Sequence, residues 1–421
     1  MTWVPAVTSI ALLASSHLPF EIRSRGSGVD MVLRHGPTPE KHQIETMAGG
    51  VALLDFDGDG TLDLFFANGA QQPALNKPDA SWHDRLYRNL GNWQFEDVTA
   101  KAGVAGTGYS FGAAAADYDG DGDTDLFVAG MPQSALYRNR GDGSFENVTA
   151  GARVGNRQQW PIGAAWLDYD RDGHLDLFVV NYVKWNPAAE PFCGDSVART
   201  YRTWCHPKHY EPLPNTLFRN RGDGTFEDVT ERTGLLSHRG KGMGVAVADY
   251  DGDGDTDLFV ANDAVPNFLF RNDAGKFTEV GMQAGVGCND DGRALSSMGA
   301  DFRDADNDGR PDLFVTALAN ETHPLYRGLE QGLFADITYP SGLGKATLSL
   351  SGWSNAIADF DNDGRKDLFA ANGDVQDNTE LFSSRASKQR NMLLMNRGSA
   401  AFEPVFFGEA ALHRGAAFGD V

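Results

Sequence analysis

The sequence predicts an all-β fold: a ring of repeated four-stranded units, a seven-bladed β-propeller. Three observations predict it. An acidic nine-residue loop occurs six times, a short apolar strand follows each copy, and a second strand motif alternates with the first.

The first loop is Asp55-Phe56-Asp57-Gly58-Asp59-Gly60-Thr61-Leu62-Asp63. Carboxylates at positions one, three, five and nine, a Gly at six and a backbone carbonyl at seven are how a chain wraps a hard cation such as calcium. The acids recur as Asp117, Asp119, Asp121 and Asp125, then Asp168, Asp170, Asp172 and Asp176, and then Asp249, Asp251, Asp253 and Asp257. Two further copies are Asp304, Asp306, Asp308 and Asp312, and Asp359, Asp361, Asp363 and Asp367. Position seven is Thr61, Asp123, His174, Asp255, Arg310 or Arg365. An EF-hand would need a Glu at position twelve and flanking helices. Here position twelve is Phe66, Val128, Val179, Val260, Val315 or Ala370, and Leu-Phe follows the last Asp each time. Short Phe- and Val-rich runs bounded by Gly and Asn are buried strands, so each loop joins two strands. About six calcium ions are expected.

The loops begin at 55, 117, 168, 249, 304 and 359, and a Gly stands five residues ahead in five copies, with Ser354 in the sixth. Such intervals mark an array or a propeller. Between loops runs Leu86-Tyr87-Arg88-Asn89 with Phe95-Glu96-Asp97-Val98-Thr99, repeated from Leu136, Leu217 and Leu269 and more weakly from Leu325 and Leu394. Gly-Asp-Gly between its halves, as at 141–143, is a hairpin turn. Each unit therefore has four strands, as a propeller blade does. The ends complete the pattern. Phe20 to Val29 matches the spacing of Phe95 to Val104, and Gly415 to Asp420 matches Gly112 to Asp117. The expectation is a ring in which the N-terminal strand completes a seventh blade, with that blade cut short at Val421 by a C-terminal truncation. Residues 1–19 form a leader or irregular start, and 20–421 the propeller.

These repeats resemble the FG-GAP/VCBS type of integrin α propellers. More narrowly, the chain resembles the cartilage acidic protein / ASPIC–UnbV family. The residues that carry this are Glu45-Thr46-Met47, Cys193 with Cys205-His206-Pro207, Leu213-Pro214-Asn215, Asp291-Gly292-Arg293, Met298-Gly299, Gly352-Trp353 and Arg414 to Asp420. The resemblance implies an extracytoplasmic calcium-binding propeller followed by a small C-terminal ASPIC/UnbV domain, which this sequence lacks.

The formal charge of −22 over 421 residues comes largely from the loops, so the acidity reads as a metal-binding feature. It argues against nucleic acid, which asks for a basic stripe. No stretch approaches the ~20 apolar residues of a membrane span. The expected location is secreted, periplasmic or cell-surface.

Successive loops of a meander alternate faces, so the acidic loops share one face and the long insertions 68–84, 181–215 and 372–391 the other. Long loops on a rigid scaffold are where binding concentrates. The insertion at 181–215 holds Trp185, Tyr201, Trp204, His206 and His209 with Cys193 and Cys205. Its leading reading is a disulfide between the two cysteines; a zinc site of Cys193, Cys205, His206 and His209 is the alternative. The aromatic residues form either a ligand platform or the loop's own core. Cys288 reads as a buried free thiol. Arg157, Arg239, Lys241, Arg293 and Lys345 lie in inter-blade links, either gathering near the axis to hold an anion or standing as solvated charge. No nucleophile elbow, phosphate loop or zincin helix occurs. The expectation is therefore a non-enzymatic module that binds a protein or glycan ligand opposite the calcium loops. A calcium-dependent polysaccharide lyase and a scaffold for an absent C-terminal domain are the alternatives.

Overall fold

A computed structural model describes residues 23, 26–156, 159–398 and 401–419. Of the expected outer strand from Phe20 to Val29, residues 20–22, 24 and 25 lie outside them, as do the leader, Arg157 and Asp420, and 26–29 form a turn and not a strand. Among the described residues six four-stranded antiparallel sheets follow one another along the chain. The first is Val51–Leu54, Asp63–Phe66, Arg85–Asn89 and Phe95–Asp97, paired in sequence order. The others span 109–147, 161–228, 242–279, 300–336 and 352–411.

The Leu-Phe pair after each loop explains how the sheets stack. Side chains of a strand alternate between faces. Leu126, Leu177, Leu258, Leu313 and Leu368 each pack toward the preceding sheet, and Phe127, Phe178, Phe259, Phe314 and Phe369 toward the following side. A shared apolar core thus joins each sheet to the next, from first to sixth. Among the described residues Leu64 has no such preceding core and lines a cleft of about 1150 Å³ between the first and sixth sheets, with Leu53, Phe369, Phe407 and Phe418.

The Gly five residues ahead of the loops has a packing reason at Gly50, Gly112, Gly244 and Gly299, though not at Gly163. The first strands of neighbouring sheets approach closely around one axis: Gly50 N donates to Phe111 O at 2.8 Å. A Cβ on Gly50 would stand 2.1 Å from that carbonyl, and one on Gly299 2.2 Å from Trp353 O. Seven segments line the axis: 47–51, 111–113, 162–164, 243–245, 298–300, 353–355 and 414–416. The seventh runs between the first and sixth sheets, with Arg414 O accepting from Ser354 N at 3.1 Å. The N-terminal segment also keeps a repeat position. Phe95 N donates to Ser27 O at 2.7 Å, as Phe277 N does to Thr233 O and Phe402 N to Ser341 O.

Candidate functional site

Each acidic loop is shaped by its own carboxylates. Asp55 accepts from Asp59 N and Gly60 N at 3.1 and 2.9 Å. The sixth-position Gly residues have φ from +85° (Gly60) to +96° (Gly122), a region that suits glycine. Position four is left-handed too, and takes Gly58, Gly120, Gly252, Asn307, Asn362 and even Arg171.

The ninth-position Asp is a buried staple. Asp63, Asp125, Asp176 and Asp257 are wholly buried. Asp63 accepts from Phe56 N at 3.0 Å with one oxygen and from Asn89 N at 2.7 Å with the other, tying the loop to the third strand. Asp125, Asp176, Asp257, Asp312 and Asp367 repeat the pair of bonds. Burial, with neighbouring acids adding to it, pushes Asp63 and Asp312 up to about 6 and Asp125, Asp176 and Asp257 up to about 7, against the two N–H donors.

Oxygens of Asp55, Asp57 and Asp63 lie within 4.8 Å of one another, and so do the matching triplets at Asp117, Asp168 and Asp249. In the fifth loop Asp304, Asp306 and Asp308 converge. The third-position oxygens Asp57 Oδ1, Asp170 Oδ1 and Asp361 Oδ1 are buried with no hydrogen-bond partner. An all-oxygen donor set with orphaned carboxylate oxygens fits a hard cation. Positions one, three, five and nine would hold it, and its charge would offset the mutual repulsion of the acids. Arginines meanwhile face several loops: Arg88 on Asp57 and Asp59, Arg219 on Asp170 and Asp172, Arg310 on Asp308, and Arg365 on Asp363. Position-seven side chains are engaged with neighbouring groups, as Arg310 and Arg365 are. Thr61 Oγ1 donates to Asp59 at 2.6 Å, and Asp255 accepts from Ala274 N at 2.9 Å and pairs with Arg171. Asp123 lies against Gly141, and His174 against Gly222.

The opposite face carries a cap. In the third-sheet insertion Val183–Lys184 pairs with Glu211–Pro214, which also pairs with Arg239–Gly240 of the link to the fourth sheet, and Cys193–Gly194 pairs with Arg202–Thr203. Cys193 and Cys205 are joined by a disulfide, which consumes both thiols and overturns the zinc alternative. The insertion reaches across the ring to the sixth sheet's loop. Trp204 N donates to Gln376 Oε1 at 2.8 Å, Gln376 Nε2 to Trp204 O at 2.9 Å, and Asn378 Nδ2 to Arg202 O at 2.8 Å. It also meets the segment before the first sheet, where Trp204 Nε1 donates to Glu45 Oε2 at 3.2 Å and His42 Nδ1 faces Glu190 Oε2 at 3.2 Å. The remaining insertion, 68–84, packs on the 34–36 segment instead, around a fully buried Lys77–Asp84 pair at 2.6 Å.

A family profile described as FG-GAP-like repeat matches five times, at residues 55–128, 117–179, 210–260, 249–315 and 304–370. The chain belongs to the FG-GAP-like repeat family. No curated protein matches it. Among the solved structures that resemble it distantly are two. One is an Agrocybe aegerita lectin described as recognising non-reducing terminal N-acetylglucosamine, with 17% identity, a TM-score of 0.48, and 85% of this chain and 80% of that chain covered. The other is the V. cholerae biofilm matrix protein Bap1, with 14% identity, a TM-score of 0.38, and 74% and 41% covered. Among the described residues no helix is long and apolar enough to cross a membrane.

In this FG-GAP-like chain the cap aromatics build the cap's own core. Trp204 is 4% exposed, Trp185 donates to Glu190 Oε2 at 2.6 Å, and Tyr201 stacks on Phe382. The link cations do not gather at the axis. Arg239 is exposed and pairs with Glu211, Arg293 and Lys345 are exposed, and only Lys241 is buried, donating to Pro207 O at 2.8 Å. The axial cation is Arg414, which lies 3.9 Å over the Trp353 ring and donates to the carbonyls of Thr46 and Asp374. Burial pulls it down to about 9. Cys288 is a free thiol but half-buried, correcting the buried reading. His206 and His209 are exposed at the rim of a cap cavity of about 320 Å³, and burial and Lys208 lower His206. Asp263 and Gln43 on its wall escaped sequence reading; neither stands in a motif.

Proposed function

We propose that the chain is an extracytoplasmic, calcium-stabilised propeller of seven blades that works as a non-enzymatic interaction module, binding a protein or glycan ligand on its capped face. The observation that carries this is the convergence of two long insertions and the 35–47 segment into one cap, opposite six loops built as cation sites. Seven blades are supported by the seventh axial segment and by the Ser27 contact to Phe95, which keeps the register of an outer strand. The narrower ASPIC–UnbV relationship rests on the quoted motifs, several of which fall at the axis or in the cap: Glu45, Cys205, Trp353 and Arg414. A calcium role in stability follows from the loops, where a cation would lock the staple Asp of each sheet. The disulfide suits an oxidising, extracytoplasmic setting.

The test is an elemental count of bound metal together with capture of a surface polysaccharide or protein fraction in calcium and in EDTA. About six calcium ions per chain, and retention that is lost when the cap is disrupted, are expected. Absence of metal, or retention indifferent to the cap, overturns the reading.

A further inference from the structure

The cap cavity has a built interior. Its walls are Met47, Trp204, Met298, Leu318, Trp353 and Val375, and Asp263 and Gln43 also line it. Asp263 is 4% exposed; its Oδ2 accepts from Tyr182 OH at 2.7 Å, and its Oδ1 makes no hydrogen bond of normal geometry, the Ser296 hydroxyl only favouring its ionised form. Ser296 lies beside it but donates its hydroxyl to Glu321 Oε1 at 3.3 Å. Gln43 is 2% exposed, and its Oε1 is also unpartnered. A buried acceptor left unmatched costs roughly 1–3 kcal/mol, so two on one wall ask for a ligand that brings donors.

Charge decides which donors. Lys41 Nζ already sits 4.1 Å over the Trp204 ring, and Arg414 lies 3.9 Å over Trp353. Lys241, whose charge favours ionised Asp263, donates to Pro207 on the cavity wall, and Lys208, His206 and His209 stand on the rim. These cations are met in turn by Asp377, by Asp374 and by Asp263 itself, with Glu321 and Glu45 close by, so the wall carries charges of both signs and neutral hydroxyl groups supply donors without repulsion from either. Two indoles and two methionines offer apolar surface for C–H faces. At about 320 Å³ the cavity is at the small end for ligand pockets.

We infer that this cavity is a binding site for one neutral sugar ring of a glycan, its hydroxyls donating to Asp263 and Gln43 and its apolar face lying against the tryptophan-lined wall. This rests on the reading of the capped face as a ligand surface and narrows that ligand to a saccharide.

The experiment titrates the full chain, saturated with calcium, with methyl glycosides of glucose, galactose, mannose and N-acetylglucosamine. Binding is read by calorimetry and by the indole N–H signals of Trp204 and Trp353. Concentrations reach about 50 mM, where even a ligand bound by under ~2 kcal/mol registers. The expected result is saturable binding of at least one glycoside that moves both indole signals. Asp263→Asn then weakens binding at least tenfold while the variant keeps a single cooperative thermal transition. The wild-type indole shifts keep the test alive if that variant folds poorly. Glycoside binding that moves neither indole and survives Asp263→Asn overturns the cavity and leaves the capped-face module standing. Binding of n-butylammonium in place of every glycoside overturns the neutral class. No binding of any probe overturns the site, and the capture experiment above separately decides the module.

Discussion

The acidic-loop face and the capped face are made from the same six sheets by opposite means. On the loop face the bonds that shape each loop are short in sequence. Asp117 accepts amides three to five residues on, and Asp125 reaches back seven residues to Tyr118 N. On the capped face the bonds that matter span the chain, from Trp204 to Gln376 and from His42 to Glu190. One face is a repeated local motif that leans on a cation; the other is a single assembly held by packing, one disulfide and long-range hydrogen bonds. The two should fail under different insults.

The largest expected difference is calcium removal. At 1 mM calcium, a site with a dissociation constant of about 0.1 mM contributes roughly 1.4 kcal/mol, and several sites add. EDTA should lower the melting temperature by on the order of 10 °C. Hydrogen exchange should rise first in the loops at 55–63 and their equivalents, with the 183–214 segment following later. Cap opening ahead of the loops would break the comparison. The converse insult is smaller. Cys193→Ser with Cys205→Ser should cost the cap roughly 3 kcal/mol by loop-closure entropy. Exchange should rise across 183–214 while bound metal stays constant, and loss of metal in that variant would join the two faces into one cooperative unit.

This contrast also explains what the sequence made legible. The loops, the Leu-Phe strands and the four-strand unit were readable because each is written within about ten residues and repeated. The Gly before five of the six loops was visible as a pattern, and its reason, as in the approach of Gly50 to Phe111 O, needed the neighbouring sheet. The staple role of Asp63 was hidden behind its reading as a ligand, because its partner Asn89 lies a whole insertion away. The cap was legible only as aromatic content. Nothing in the spacing told Trp204 to meet Glu45, or placed Asp263 and Gln43 on one wall. Arg414 stood in a quoted motif, yet its seat on Trp353 depends on the ring bringing chain ends together.

Within the loop face the staple can be separated from the rim. Asp125→Asn keeps the shape but offers one acceptor oxygen to Tyr118 N and Asn139 N. One buried amide is then unmatched, a loss of roughly 1–3 kcal/mol. Asp123→Asn alters a position-seven side chain whose backbone carbonyl is the proposed ligand, and should fall within about 0.5 kcal/mol. Thermal melts of both in saturating calcium check this. Equal losses would mean that the side chain at position seven also serves the ion.

The smallest expected effect isolates the capped side by pH. His323 is fully buried; its Nδ1 accepts from Ala317 N at 3.3 Å, and its Thr347 and Asn372 neighbours are neutral. Burial pulls its pKa down to about 4 from 6.5. The unfolded chain takes up this proton near pH 6.5 and the folded chain only near 4. Between these values the unfolded state binds more protons, so stability falls as the pH falls. Going from pH 7 to 5.5 should cost about 1 kcal/mol, and His323→Gln should remove that slope. Asp263, held up to about 6 by burial, tilts the other way: its folded form keeps a proton that the unfolded form has lost, so its share of stability falls as the pH rises toward 6. Asp263→Asn should therefore steepen the acid-side loss that His323→Gln flattens. Melting curves of the two variants across pH 4–7 in saturating calcium read the two slopes with the loop carboxylates held by metal. Parallel curves would place the acid sensitivity on the loop face and end the separation of the two.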